Sequence, residues 1–345
     1  MLVIIDYFLD NRNINTPENF PDPNFRIAVE NYLNVKLGEK FSAKKTMNRK
    51  VALLCNGREI HDLTGIEFFP QIKKLNCSDN QLKEIDLSAN IGLKMLVCSG
   101  NQLTKLDLYN QKDLKHLSCE NNSLSELNLS NLTNLEYLVC SGNQLTSFDS
   151  SRNVKIEYLD CSGNQLTSLD SSRNVKVDNL NCSSNKISAL KLCAGPVLKR
   201  LDCGNNQLSS IDTTGILNLL ILKCGDNALT HLDFSKNPYL TRLICRNTDL
   251  QSLNLVGNSS LNILNLYNNK LTSIPDLSKK PMINAVDIRM NLLGDDDKED
   301  IIALKKMLPK QIGEEEIIDY YASRNQLYSG FHYSPQINHD PYLLD

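Results

Sequence analysis

The chain has 345 residues, of which 22% are charged, and a formal net charge of −3. That balance gives no drive toward nucleic acid, and no apolar stretch reaches the length needed to span a bilayer. Tryptophan is absent and only 6% of residues are aromatic, which fits a core of thin aliphatic layers and argues against one large globular centre. Residues 1–9 are apolar, but no basic residue leads them and Asp6 interrupts them, so they do not read as a secretory signal. Asp22 followed by Pro23 is an N-cap and N1 pair. Phe25, Ala28, Val29, Tyr32 and Leu33 then fall on one helical face, suited to covering the open end of whatever follows. Residues 38–50, GEKFSAKKTMNRK, hold one Glu and no Asp, so no metal is expected there.

From about residue 50 the chain repeats. Leu53, Cys55, Ile60 and Leu63 form a first, irregular unit with Arg58 where later units carry asparagine. Cys77, Cys98, Cys119, Cys140, Cys161, Cys182, Cys203, Cys224 and Cys245 then stand 21 residues apart. With cysteine as position 6, position 4 is leucine in all nine units, and positions 1, 11 and 14 are apolar throughout. Position 9 is asparagine from Asn80 to Asn227, and Thr248 breaks that column. A unit this short cannot bury its own apolar face and must stack on its copies. Alternation across positions 4 to 6 predicts a short strand, paired in parallel with its neighbours. Segments such as Ile85-Asp86-Leu87 predict a second short extended stretch on the far side of the coil. The asparagine column is expected to bond backbone groups left open by the turn, forming a ladder. Two further units follow, one with Leu266 in the cysteine column and one through Val286, Ile288 and Asn291 at spacing 22. This makes about twelve rungs, roughly 50–60 Å of coil at ~4.8 Å per strand.

Beyond the repeats, Asp295–Asp297 lead into Ile301, Ile302, Leu304 and Leu308, the spacing of a capping helix with an acidic start. Residues 314–345 are less regular and read as an extended tail. The division is a helical cap over 1–50, a solenoid over 51–294, and a cap helix and tail over 295–345.

These columns resemble the leucine-rich repeat. The unit LxxLxCxxNxLxxLDLSxN, seen in residues 72–90 as IKKLNCSDNQLKEIDLSAN, is similar to the short 21-residue class found mainly in bacterial proteins. The segment Asp62-Leu63-Thr64-Gly65-Ile66 resembles the opening rung of internalin-like proteins, and residues 328–336 resemble a terminal segment of related bacterial repeat proteins. The resemblance covers about 245 of the 345 residues. It implies a β-rich, right-handed solenoid with a parallel concave sheet, short extended convex segments and small helical caps at both ends. It also implies a protein-protein interaction scaffold whose repeats bind a partner on the concave face.

The eleven cysteines do not read as disulfides or metal ligands. In-register side chains stand about 4.8 Å apart and parallel, whereas a disulfide needs converging Cβ atoms about 3.8 Å apart. No two cysteines have the close spacing of a zinc site. Buried thiols are inert core filler, and Cys193, at position 17, is the thiol expected to be exposed. So many free thiols favour a reducing compartment, the cytoplasm, with secretion or host delivery as the alternative. No catalytic constellation is present: the histidines are scattered, phosphate-loop, HExxH and GxSxG motifs are missing, and no cofactor is expected. The acidic column Asp86, Asp107, Asp149, Asp170, Asp212 and Asp233 reads as a solvated face bonding local backbone. Binding is left, at the variable positions 3 and 5: Met95, Val97, Tyr137, Val139 and Tyr158 in the first half, and Arg200, Asp202, Ile221, Lys223, Arg242 and Ile244 in the second. Exposed aromatic and apolar groups rimmed by charge suit protein recognition. The alternative is an effector in which the repeats read a substrate for an activity encoded elsewhere. Residues 141–155 and 162–176 differ only at Phe148 versus Leu169, so part of this surface is repetition from duplication.

Overall fold

The computed structural model describes residues 12–47, 51–294 and 297. Residues 1–9, the capping helix expected from Ile301 to Leu308 and the tail from 314 onward lie outside the described residues. At the amino end, helix α1, Pro23–Leu33, starts where the sequence places it: one carboxylate oxygen of Asp22 accepts from the backbone N–H of Asn24 and of Phe25, both at 2.9 Å. The other oxygen accepts from the N–H of His61 at 2.7 Å. A single buried carboxylate thus caps the helix and fastens it to the first rung. Phe25, Ala28, Val29 and Leu33 are buried and Tyr32 is half-buried. They close over the coil with a cluster of Phe20, Phe25, Phe41, Phe68 and Phe69. A second helix, α2, Ala43–Met47, follows. Gly65 sits at φ 104°, and a Cβ there would meet the Phe20 ring at 2.3 Å, so this turn admits only glycine.

Among the described residues, twelve strands of three residues each, from Ala52–Leu54 to Ala285–Asp287, form one parallel sheet along one side of the coil. Register is strict: Leu75 pairs with Leu96, Leu96 with Leu117 and Leu117 with Leu138. The apolar columns at positions 1, 4 and 11 are buried, position 14 is buried in some rungs and half-buried in others, and ten cysteines stack inside without a disulfide while Cys193 is partly exposed. The thiols donate along the stack: Cys77 Sγ lies 3.6 Å from Val97 O, and Cys161 Sγ lies 3.6 Å from Asn181 O. Burial raises the pKa of most of them, to about 12 for Cys55 and further for Cys98 and Cys119.

The asparagine column forms the expected ladder. Asn143 Nδ2 donates to the carbonyls of Cys119 and Cys140 at 3.1 Å, and its Oδ1 accepts from Leu124 N at 3.0 Å. The preceding residue, position 8, has positive φ in rung after rung, as at Asp79, Gly100, Asn121, Gly142, Gly163 and Ser184. This explains the Gly, Asn, Asp and Ser found there.

The far side differs from the expectation of a second continuous extended layer. Only Ser168–Asp170 with Ala189–Lys191, and His231–Asp233 with Ser252–Asn254, pair as strands there among the described residues. In paired and unpaired rungs alike the position 17 N–H turns back to the position 15 side chain of its own rung, as from Ser88 to Asp86 at 2.9 Å, from Tyr109 to Asp107 at 2.9 Å and from Ser172 to Asp170 at 3.0 Å. Asn128 and Asn254 accept the same bond, so the acidic column is a set of turns in which aspartate and asparagine are equivalent.

Candidate protein-binding face

Positions 3 and 5 of each rung point out of the sheet, since positions 4 and 6 point in. They do not form a uniform surface. Met95, Val97 and Val139 are only 8%, 6% and 7% exposed. Each is flanked by its column neighbours on the rungs above and below, so these three are walls of the face and not contact points. Tyr137 and Tyr158 are half-buried, and their rings stack at 4.6 Å between centroids with planes 11° apart. His116, which the sequence reading left out, extends this stack: its ring lies 4.2 Å from that of Tyr137 at 5°. The signal was available, because His116 occupies position 3 of its unit like both tyrosines.

Acidic groups border the rings. Ser118 Oγ donates to Glu120 at 2.5 Å, and Ser162 Oγ to Asp160 at 2.6 Å. Burial, then Asp160 and Glu120, push the Tyr158 phenol well above its ordinary pKa. It therefore stays neutral, a hydrogen-bonding tip on an apolar ring.

The carboxyl-terminal half has another character. Asp202 and Lys223 form a partly buried ion pair at 3.2 Å, Arg200 is exposed and Ile244 is half-buried. Ile221 and Arg242 line a shallow cleft of about 380 Å³ with Thr241, Asn262, Ile263 and Met282. At the last rungs Arg289 binds Asp287 through two bonds of 2.9 and 2.7 Å and lies 5.5 Å over the Tyr267 ring.

A rung of 21 residues with an interior leucine-cysteine-asparagine pattern and a parallel sheet defines a leucine-rich-repeat solenoid. Comparison with solved structures narrows this. The functional domain of InlJ from Listeria monocytogenes, itself described as including a cysteine ladder, is 30% identical over 82% of this chain and 72% of its own, with a TM-score of 0.66. An internalin, InlF, from the same organism is 21% identical over 85% and 88%, with a TM-score of 0.76. A chain of the LRIM1/APL1C complex matches 71% of this chain at 24% identity, over 49% of its own length, with a TM-score of 0.63. No family model and no curated sequence matches. The chain belongs to the internalin-like leucine-rich-repeat proteins. No helix among the described residues is long and apolar enough to cross a membrane.

Proposed function

We propose that this chain is a non-enzymatic scaffold that binds a protein partner on the sheet face, centred on Tyr137 and Tyr158. The observation that carries the reading is the stacked column of His116, Tyr137 and Tyr158. It presents rigid amphipathic rings amid side chains already held by their neighbours, so little conformational entropy is lost when a partner covers them. The APL1C–LRIM1 complex offers a precedent for a solenoid of this fold joined to another protein. The buried, unpaired thiols support the cytoplasm as its compartment, which fractionation of the native protein checks.

The test replaces both rings, Tyr137→Ala with Tyr158→Ala, and measures affinity-captured proteins quantitatively against wild type. Asp149→Asn, on the opposite side, is the control. Loss of two central aromatic anchors should weaken capture by about 2 kcal/mol or more, roughly thirtyfold, with the circular dichroism spectrum unchanged. Equal capture by the double variant and by wild type would remove the sheet face from consideration.

A further inference from the structure

Next to the aromatic column runs position 2, the residue just before each strand. Read along rungs two to seven it is Lys73, Lys94, Lys115, Glu136, Glu157 and Asp178: three cations followed by three anions. The stacking is real in space, because Lys115 Nζ lies 2.7 Å from Glu136 of the next rung, and Lys199, one rung past the block, lies 3.6 Å from Asp178. Among the described residues, neither Lys94 nor Glu157 enters an ion pair, and both are exposed. A row of three stacked carboxylates with its middle member unpaired is unfavourable by itself, since like charges at rung spacing repel.

Such a row is complementary to its own reverse. A two-fold axis between Lys115 and Glu136 turns the column end for end and lays the cation block of one copy on the anion block of the other. Lys94 then faces Glu157 and Lys73 faces Asp178, while the internal Lys115–Glu136 pair meets its own copy head to tail. Of the three column residues without an ion pair in the single chain, Lys73, Lys94 and Glu157, the axis brings Lys94 and Glu157 together and sets Lys73 against Asp178, which Lys199 already pairs. In the neighbouring column the same operation sets His116 toward Tyr137 of the second copy. An apolar strip is flanked by matched charge over about 24 Å, five rung steps of ~4.8 Å.

We infer that this margin of the sheet is an isologous interface, and that its occupant is a second copy of the chain in antiparallel orientation. The inference rests on the proposed use of this face for protein recognition and names one partner for it. Exposed charge pairs contribute little each, so the dimer is weak and sensitive to salt, and a heterologous partner that engages the tyrosines competes with it.

The experiment is sedimentation velocity on the full chain across a concentration series, in about 0.1 M and about 1 M salt, between which the screening length falls from about 10 Å to about 3 Å. Wild type should dimerise reversibly at low salt and dissociate at high salt. Lys73→Glu with Lys94→Glu and Lys115→Glu makes the whole column acidic, and Glu136→Lys with Glu157→Lys and Asp178→Lys makes it basic. Each variant alone should self-associate at least about tenfold more weakly than wild type, and an equimolar mixture of the two should form a heterodimer. Combining all six substitutions restores the complement and should restore the homodimer. A wild type that stays monomeric at low salt, or an all-acidic variant that dimerises like wild type, would overturn the inference. Tyr137 and Tyr158 remain in every variant, so failure here leaves the partner-capture test independent.

Discussion

Position 3 opens each strand and position 6 follows its end, three residues on, and the two behave in opposite ways. Position 6 is cysteine in nine successive rungs, whereas position 3 passes through Met95, His116, Tyr137, Tyr158, Asn179, Arg200 and Ile221. The difference follows from what each side chain touches. A position 6 side chain is enclosed by copies of itself above and below, and the spacing between rungs sets its volume. A position 3 side chain touches copies on two sides only and meets solvent or a partner on the third. Repetition therefore marks the columns that hold the coil together, and variation marks the columns free to recognise something else.

The largest expected effect exploits the inner columns. Nine thiols, Cys55 to Cys224 excluding Cys193, are held protonated. Burial raises the pKa of eight of them, and a hydrogen bond to Cys245, followed by burial, raises that of Cys224. In the unfolded chain they ionise near the ordinary thiol value. The folded pKa is raised, so this stability is fully present below the unfolded pKa and is lost as pH rises toward the folded value. Near pH 10, each thiol withdraws on the order of 1.4 kcal/mol, and nine together on the order of 10 kcal/mol, comparable to the whole stability of a domain. Alkaline titration followed by circular dichroism should show cooperative unfolding around pH 10. Replacing Cys119, Cys140 and Cys161 by alanine should lower stability at neutral pH yet make its decline above pH 9 shallower. A pH dependence unchanged by those replacements would show that the thiols ionise in place.

Next in size is the amide ladder. Asn143→Ala would strand the N–H of Leu124 and take one of two amide donors from each of the carbonyls of Cys119 and Cys140, which Asn122 and Asn164 still reach. With about 1–3 kcal/mol for the one unsatisfied buried N–H and a smaller loss at each carbonyl, the loss in urea unfolding should be roughly 3 kcal/mol. The opposite corner of the coil has a second ladder, in which Asn153 Nδ2 donates to Leu129 O at 3.0 Å and Leu132 O at 2.8 Å. There the Oδ1 of Asn153 is buried without a hydrogen-bond partner, and Leu132 and Ile216 occupy the same column in other rungs. Asn153→Leu should therefore cost only about 1 kcal/mol. Equal losses at the two sites would contradict the idea that one ladder is obligatory and the other optional.

These contrasts also show what the sequence made legible. The 21-residue beat, the inward leucines, the buried cysteines, the position 9 ladder and the Asp22 cap were all readable, because each follows from one side chain meeting a known backbone need. The second ladder was not, although Asn90, Asn153, Asn174, Asn237 and Asn258 recur at position 19. A column in which leucine, isoleucine and glycine interrupt asparagine carries no visible demand until the carbonyls facing it are located. On the outer face, the burial of Met95, Val97 and Val139 depends on the height of their neighbours, which alternation does not encode. The stack of His116 on Tyr137 likewise needed the register of adjacent strands.

On the outer face the effects on stability shrink while the effect on recognition grows. Tyr137→Ala removes one ring from a half-buried stack and should lower unfolding stability by about 1 kcal/mol, the scale of an aromatic pair. Its influence on partner capture should be far larger than that of Asn153→Leu, which touches no outward position. A tyrosine variant as destabilised as Asn143→Ala would place the rings among the structural columns and undo the division between inner and outer residues.

The smallest effect belongs to the acidic turns. Asp149 has its pKa lowered, first by the backbone N–H of Ser151 and then by that residue's hydroxyl, and Asp170 by the hydroxyl and N–H of Ser172. A lowered folded pKa means stability that is present above the unfolded carboxylate value and lost as pH falls through the folded one. Both groups are almost fully solvated, so water screens the gain and each contributes little. Asp149→Asn keeps the acceptor oxygen that Asn128 and Asn254 use in the same turn. It should leave stability at neutral pH within about 0.5 kcal/mol of wild type while removing that rung's share of the decline between the ordinary carboxylate range and more acid pH. The column is thus set by turn geometry, and its charge is secondary. A large loss at neutral pH on Asp149→Asn substitution would instead require the carboxylates to act as charges, which would make the far side of the coil more than a set of turns.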